Sequence, residues 1–133
     1  MILLDTNILI DFSTYQFEDD QTYAASVLSR AELSLGMRRA PSVEVSQSRQ
    51  ARLAYFDSWI DWLVFDRAAS DGYGVVTGDA KLTGIRLRNK DALIAGQAYS
   101  LGLSIMTANI LDFAPFADHV VIIPPTPRIT EPA

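Results

Sequence analysis

Asp5, Glu32, Asp91, Asn109 and Asp112 carry carboxylate or amide oxygens, and each falls near an expected strand end or helix start. Carboxylates crowded together repel one another and persist where a cation absorbs their charge. Oxygen ligands suit hard cations such as Mg²⁺ or Mn²⁺, held by one or two carboxylates with waters or phosphate oxygens completing the shell. Other chemistries are poorly provided for. The chain has no cysteine and a single histidine, His119, which excludes thiol nucleophiles, zinc knuckles and multi-histidine cages. Ser104 lacks the second glycine of a G-x-S-x-G elbow, and no G-x-x-x-x-G-K-[S/T] phosphate loop occurs. Each acidic position also has a structural alternative. Asp5 can close its strand as an Asx turn. Ser29 and Glu32 have the spacing of a capping box. Asp91 complements a helix dipole, and Asn109 with Asp112 suits a turn.

The elements that must position these residues alternate between strand and helix. Short apolar runs predict strands at 2–4, 23–28, 62–65, 103–107 and 120–123. Helical spacing and caps predict helices at 29–36, 42–59 and 91–101, with a weaker one at 67–82 diluted by Gly72, Gly74 and Gly78. Residues 8–10 continue as buried helix or loop. The pattern is that of an α/β domain with a mostly parallel central sheet flanked by helices. Ligands of such sheets gather outside the carboxyl ends of the strands, where the acids fall. With 133 residues the chain is one domain, 1–123, followed by a segment at 124–133 in which four prolines rule out continuing a sheet.

The net charge is −5, from 11 basic and 16 acidic residues. An acidic chain is not an obvious nucleic-acid binder, but nine of the basic residues are Arg, and they cluster. Arg38 with Arg39, and Arg86, Arg88 and Lys90, form two local basic edges suited to phosphate, or else solvated helix faces. No apolar run is long enough to span a membrane, and the first residues lack a basic leader. A cytoplasmic location is expected.

The opening Ile-Leu-Leu-Asp5-Thr6-Asn7-Ile-Leu is followed by three further blocks. They are Ser29-Arg-Ala-Glu32-Leu with Gly36 beyond it, Asp91-Ala-Leu-Ile-Ala, and Thr107-Ala-Asn109-Ile-Leu-Asp112-Phe113. In this order and at these spacings they resemble the PIN-domain family, and most nearly its VapC-type toxins of bacterial toxin–antitoxin pairs. The resemblance covers residues 1–123. It implies a Mg²⁺- or Mn²⁺-dependent endoribonuclease acting on tRNA, rRNA or mRNA, neutralised by a VapB-like antitoxin, as a homodimer or a toxin–antitoxin hetero-oligomer. Under it, Asp5, Glu32 and Asp91 occupy the family's acidic positions, Asp5 and Asp91 hold the metal, and Thr6 and Asn7 are the supporting polar residues. Arg38, Arg39, Arg86, Arg88 and Lys90 become candidates for gripping RNA.

The fourth acidic position departs from the family pattern. Asn109 stands where Asp is common, and Asp112 is the candidate to take over a metal or water contact. Two other readings compete. A PIN fold crippled by Asn109 would only bind RNA or protein. A haloacid-dehalogenase-like phosphatase also opens with a strand ending in Asp, but Asn7 would stand in place of its general acid, and an amide cannot transfer that proton.

Overall fold

The computed structural model describes residues 1–81 and 87–129. In chain order its elements are β1 (Ile2–Leu4), α1 (Thr6–Ile10), a 3₁₀ turn (Phe12–Thr14), β2 (Tyr15–Gln16), β3 (Tyr23–Ser26), α2 (Val27–Arg38), α3 (Val43–Trp59) and β4 (Asp61–Leu63). They continue with α4 (Arg67–Lys81), α5 (Asn89–Leu101), β5 (Ser104–Met106), α6 (Ile110–Phe113), a second 3₁₀ turn (Ala114–Phe116), β6 (Ile122–Ile123) and β7 (Thr126–Pro127).

Five strands form one sheet in the order β4-β3-β1-β5-β6, and every pairing within it is parallel. The expected α/β class is thus what the chain adopts. β1 lies at the centre because Ile2, Leu3 and Leu4 are apolar on both faces, the signature of a strand covered by helices on each side. Alternation then divides the core in two. Leu3 and Ile105 point into one cluster with Val76, Ala95 and Phe113, contributed by α4, α5 and α6. Leu4 and Met106 point into the other with Ile8, Leu33, Leu53 and Phe56, contributed by α1, α2 and α3. The three-layer arrangement is the simplest way to bury both sheet faces.

Several element boundaries differ from the sequence expectation by a few residues. The strand expected at 23–28 stops at Ser26, whose side chain accepts from the Leu28 amide and caps α2. The helix therefore starts before Ser29, and the Ser29–Glu32 capping box is not formed. Ser29 is instead buried. The proline-rich segment stays out of the main sheet, yet Thr126–Pro127 pairs antiparallel with β2 as a two-stranded ribbon. Pro127 is tolerated because an edge strand needs no second ladder. Helix α4 reaches Lys81, and position 82 of the expected helix lies outside the described residues.

The glycines that weaken α4 on propensity grounds have two different roles. A side chain at Gly72 would collide with the backbone of Gly96 in α5, and one at Gly96 would collide with Tyr73 and Gly72. This pair lets α4 and α5 approach backbone to backbone. Gly74 and Gly78 face open space. The contrast sets a test by urea or thermal unfolding. Gly72→Ala and Gly96→Ala should each destabilise by about 1–3 kcal/mol through overpacking. Gly74→Ala and Gly78→Ala should stabilise by roughly 0.5–1 kcal/mol, the helix-propensity gain alone.

Candidate active site

The sheet order places a topological switch at β1: the chain first adds β3 on one side and later β5 on the other. Crevices at such points collect ligands. Asp5 stands at this point, following β1, with its backbone N–H bonded to the Met106 carbonyl of β5 at 2.9 Å. Its side chain caps α1, with Oδ1 accepting from the Thr6 amide at 2.8 Å. Oδ2 accepts from Thr107 Oγ1 at 2.9 Å and from Asn7 Nδ2 at 3.0 Å. A carboxylate offers about four lone pairs. Three are taken, and one on Oδ1 is left.

Asn7 and Thr6 fix the surroundings. Asn7 also donates to Thr107 Oγ1 at 3.3 Å and accepts from the Ala108 amide at 3.2 Å, joining the ends of β1 and β5. Thr6 donates to Ser29 Oγ at 2.8 Å, joining α1 to the first turn of α2 and so to the helix carrying Glu32. Both residues are among those the sequence singles out. Thr107 has no role assignable from sequence, and Ser29 reads there only as a helix cap, although both lie inside motif blocks.

Asp91 arrives from the first turn of α5 and is 6% exposed. Its carboxylate accepts no hydrogen bond among the described residues. Burial is the main force raising its pKa to about 6, and the charges of Asp5 and Asp112 raise it further against the pull of Lys90 and Arg88. Asp5 is also pushed up by burial, opposed by its bonds from Thr107 and Thr6 and by the Lys90 charge. The two acids are therefore held differently. Asp5 is hydrogen-bonded on both oxygens, whereas Asp91 is an anion without donors among the described residues.

Glu32 turns towards Lys90, whose Nζ lies 2.7 Å from Oε1 and 2.9 Å from Oε2. Lys90 thus spends its charge on Glu32, while Arg38 and Arg39 lie at the C-terminal end of α2. Arg88 is exposed and lies 3.9 Å from Asp112. Arg86 lies outside the described residues. At the fourth position the structure separates the two candidates: Asn109 is exposed and its side chain caps nothing, whereas half-buried Asp112 acts on Asp91.

The site fits a cation by its donor set. Among the described residues no three acidic side chains converge on one point. A Mg²⁺-like ion needs only one or two carboxylates, with water filling the rest. Asp5 with its free lone pair and Asp91 with no donors among the described residues would be that pair, and the Lys90 ammonium already stands beside Glu32 as a positive charge.

No protein-family model matches the chain, and no curated protein matches it either. Solved structures do. The chain matches one in the VapBC2 complex of Rickettsia felis, bound to a promoter DNA fragment, with a TM-score of 0.79 and 23% identity over 94% of this chain and 99% of that one. It matches VapBC-5 of Mycobacterium tuberculosis, of a toxin–antitoxin family, with a TM-score of 0.77 and 25% identity over 94% and 97%. DNA-bound VapBC of Salmonella typhimurium gives 0.77 and 22% over 93% and 98%. The PIN-like fold expected from the motifs is borne out, and the likeness to VapC-type toxins rests on motif order and fold together. Among the described residues no helix is long and apolar enough to cross a membrane.

The raised Asp91 pKa has a consequence for stability without divalent ions. Between about pH 4 and 6 the unfolded chain has released this proton while the folded chain still holds it. The folded state then binds more protons, so stability falls as pH rises through this window. A carboxyl moved from 3.8 to about 6 forfeits at most about 3 kcal/mol by neutral pH. Asp91→Asn should remove that decline and raise the metal-free melting temperature at pH 7. Lys90→Met, which leaves the acids without their nearest cation, should lower it by roughly 1 kcal/mol equivalent. Melting curves from pH 4 to 8 in EDTA check both.

Proposed function

We propose that this chain is a metal-dependent endoribonuclease of the VapC toxin type, held in check by a VapB-like antitoxin. The observation that carries the reading is Asp91: a nearly buried carboxylate, without a hydrogen-bond donor among the described residues, facing the charge of Asp5. Folding tolerates such a group at a cost, and a bound cation recovers that cost. Asp5 and Asp91 would hold Mg²⁺ or Mn²⁺, which when bound lowers the pKa of a coordinated water and offsets charge developing on a phosphodiester.

The remaining roles belong to the chain's own side chains. Thr107, Thr6 and Asn7 fix the Asp5 carboxylate, so that its free lone pair has one direction. Glu32, at the rim on α2, orients the attacking water by accepting its proton as a hydrogen bond. Asp112 adds negative charge near Asp91, which would strengthen cation binding. Hydrolysis by water leaves a 5′-phosphate and a 3′-hydroxyl and has no use for a histidine pair. The one histidine bonds Asp79 and no acid of the site. RNA as substrate, the antitoxin partner and a homodimer or toxin–antitoxin assembly rest on the resemblance to the VapC type.

Purified protein with Mg²⁺ or Mn²⁺ should cut structured RNA at a few single-stranded positions, and EDTA should abolish cutting. Asp5→Asn and Asp91→Asn should each lower the rate by roughly a hundredfold or more while the fold is kept. End-group analysis should find 5′-phosphates. Products ending in 2′,3′-cyclic phosphate would falsify the water mechanism, and RNA binding without cleavage in either metal would leave only a binding module.

A further inference from the structure

Beside Glu32 a cavity of about 230 Å³ opens, lined by Thr6 and Glu32 of the site, by Ile10, Leu33 and Gly36, and by Arg49 and Arg52 of α3. The two arginines are one helical turn apart and so share a face of α3. Each is pinned by one nitrogen. Arg49 Nη1 donates to the Gly36 carbonyl at 2.7 Å, and Arg52 Nη1 donates to the Ile10 carbonyl at 3.2 Å. Ile10 ends α1 and Gly36 lies in the last turn of α2, so these bonds satisfy carbonyls near helix ends.

Capping alone does not account for the arrangement. A guanidinium has five N–H donors, and each arginine spends one on its carbonyl. Neither forms an ion pair among the described residues. Burial and the neighbouring Arg49 charge both weaken the hold of Arg52 on its proton, with only Asp11 opposing them. Glu32, the carboxylate of the cavity, is already neutralised by Lys90 at 2.7 Å. Two like charges are therefore held near each other, half-buried, around a space that opens onto the acidic site. A planar fork with unspent donors matches phosphate oxygens in pairs.

We propose that Arg49 and Arg52 form a phosphate subsite, which holds the RNA phosphodiester next to the one that is cut. The inference rests on the chain being an RNA hydrolase, and it adds the direction of the strand: across α3 and the ends of α1 and α2, past Thr6 and Glu32. The acids repel a polyanion, so the strand needs a positive anchor close by to bring the scissile group against them.

The test uses the full chain in EDTA, where binding is read without cleavage. A single-stranded RNA oligonucleotide is titrated against wild type, Arg49→Gln, Arg52→Gln, the double variant, and Arg67→Gln as a control on α4. Gln keeps an amide donor for the capping carbonyl and removes the charge. Each Gln variant should bind about fivefold to tenfold more weakly, and the slope of log affinity against log salt should shrink by about 0.7 for each phosphate no longer held. Arg67→Gln should match wild type. In a second arm, inorganic phosphate should raise the melting temperature of wild type more than chloride at equal ionic strength, and should not do so for the double variant.

The outcomes separate the two ideas. Oligonucleotide binding of equal affinity and equal slope in wild type and double variant overturns the subsite and leaves the nuclease reading intact. A phosphate shift that depends on both arginines, in a protein that binds no RNA, upholds the subsite and overturns the substrate. If a Gln variant fails to fold, Arg49→Lys and Arg52→Lys replace it. They should keep the salt slope but lose about twofold to fivefold in affinity with the fork, and no loss would overturn the proposal.

Discussion

Two carboxylates, Asp5 and Asp91, feel each other's charge on two largely buried residues, and much of the structure works to hold them so. In water such a pair would simply separate or stay hydrated. Here separation is not open to them, because each acid is delivered by an element that cannot shift. Asp5 follows β1, the central strand, paired on both sides. Asp91 comes from the first turn of α5, which packs against α4 across two glycine backbones. The resulting strain is electrostatic rather than conformational: no described residue other than Gly102 has a positive φ.

The two acids are not equivalent, and the difference has a simple origin. Asp5 stands where three donors converge, two from α1 and Thr107 just beyond β5, and these oppose its desolvation. Asp91 has no such donors among the described residues and is left with only the opposing pulls of Lys90 and Arg88. One carboxylate is thus preorganised and the other unsatisfied. Carboxyl groups raised together by burial and by each other's charge are a mark of sites that do chemistry.

Much of this is legible in the sequence because it depends on local pattern. The apolar run of β1 ending at Asp5, the strand-helix alternation and the positions of Glu32 and Asp91 all follow from residue type and order. What escapes depends on tertiary contact. Ser29 has the sequence of a cap and becomes the hydrogen-bond partner of Thr6, because Ser26 takes the cap one turn earlier. Lys90 belongs by sequence to a basic edge, yet α5 turns it towards Glu32 on α2. Arg49 and Arg52 sit in a helix that its apolar spacing alone makes legible, and only folding brings their face to the border of the acids. Gly72 reads as a helix breaker until Gly96 is seen against it.

That last contact bears directly on the site. An α5 with room to slide could carry Asp91 away from Asp5 and relax the repulsion. The glycine pair sets the depth at which α5 meets α4, and Gly102, left-handed at φ 66°, ends α5 and turns the chain into β5. Gln97 Nε2 donates to the Leu63 carbonyl at 3.0 Å and to the Val64 carbonyl at 2.9 Å, tying the middle of α5 to the end of β4. Lys90, one residue before Asp91, ties its start to α2. With its middle, both ends and its packing depth all fixed, the helix holds its first acid in place. The repulsion then has no mechanical outlet, and the remaining way to lower it is by charge: a proton near pH 6, or a cation.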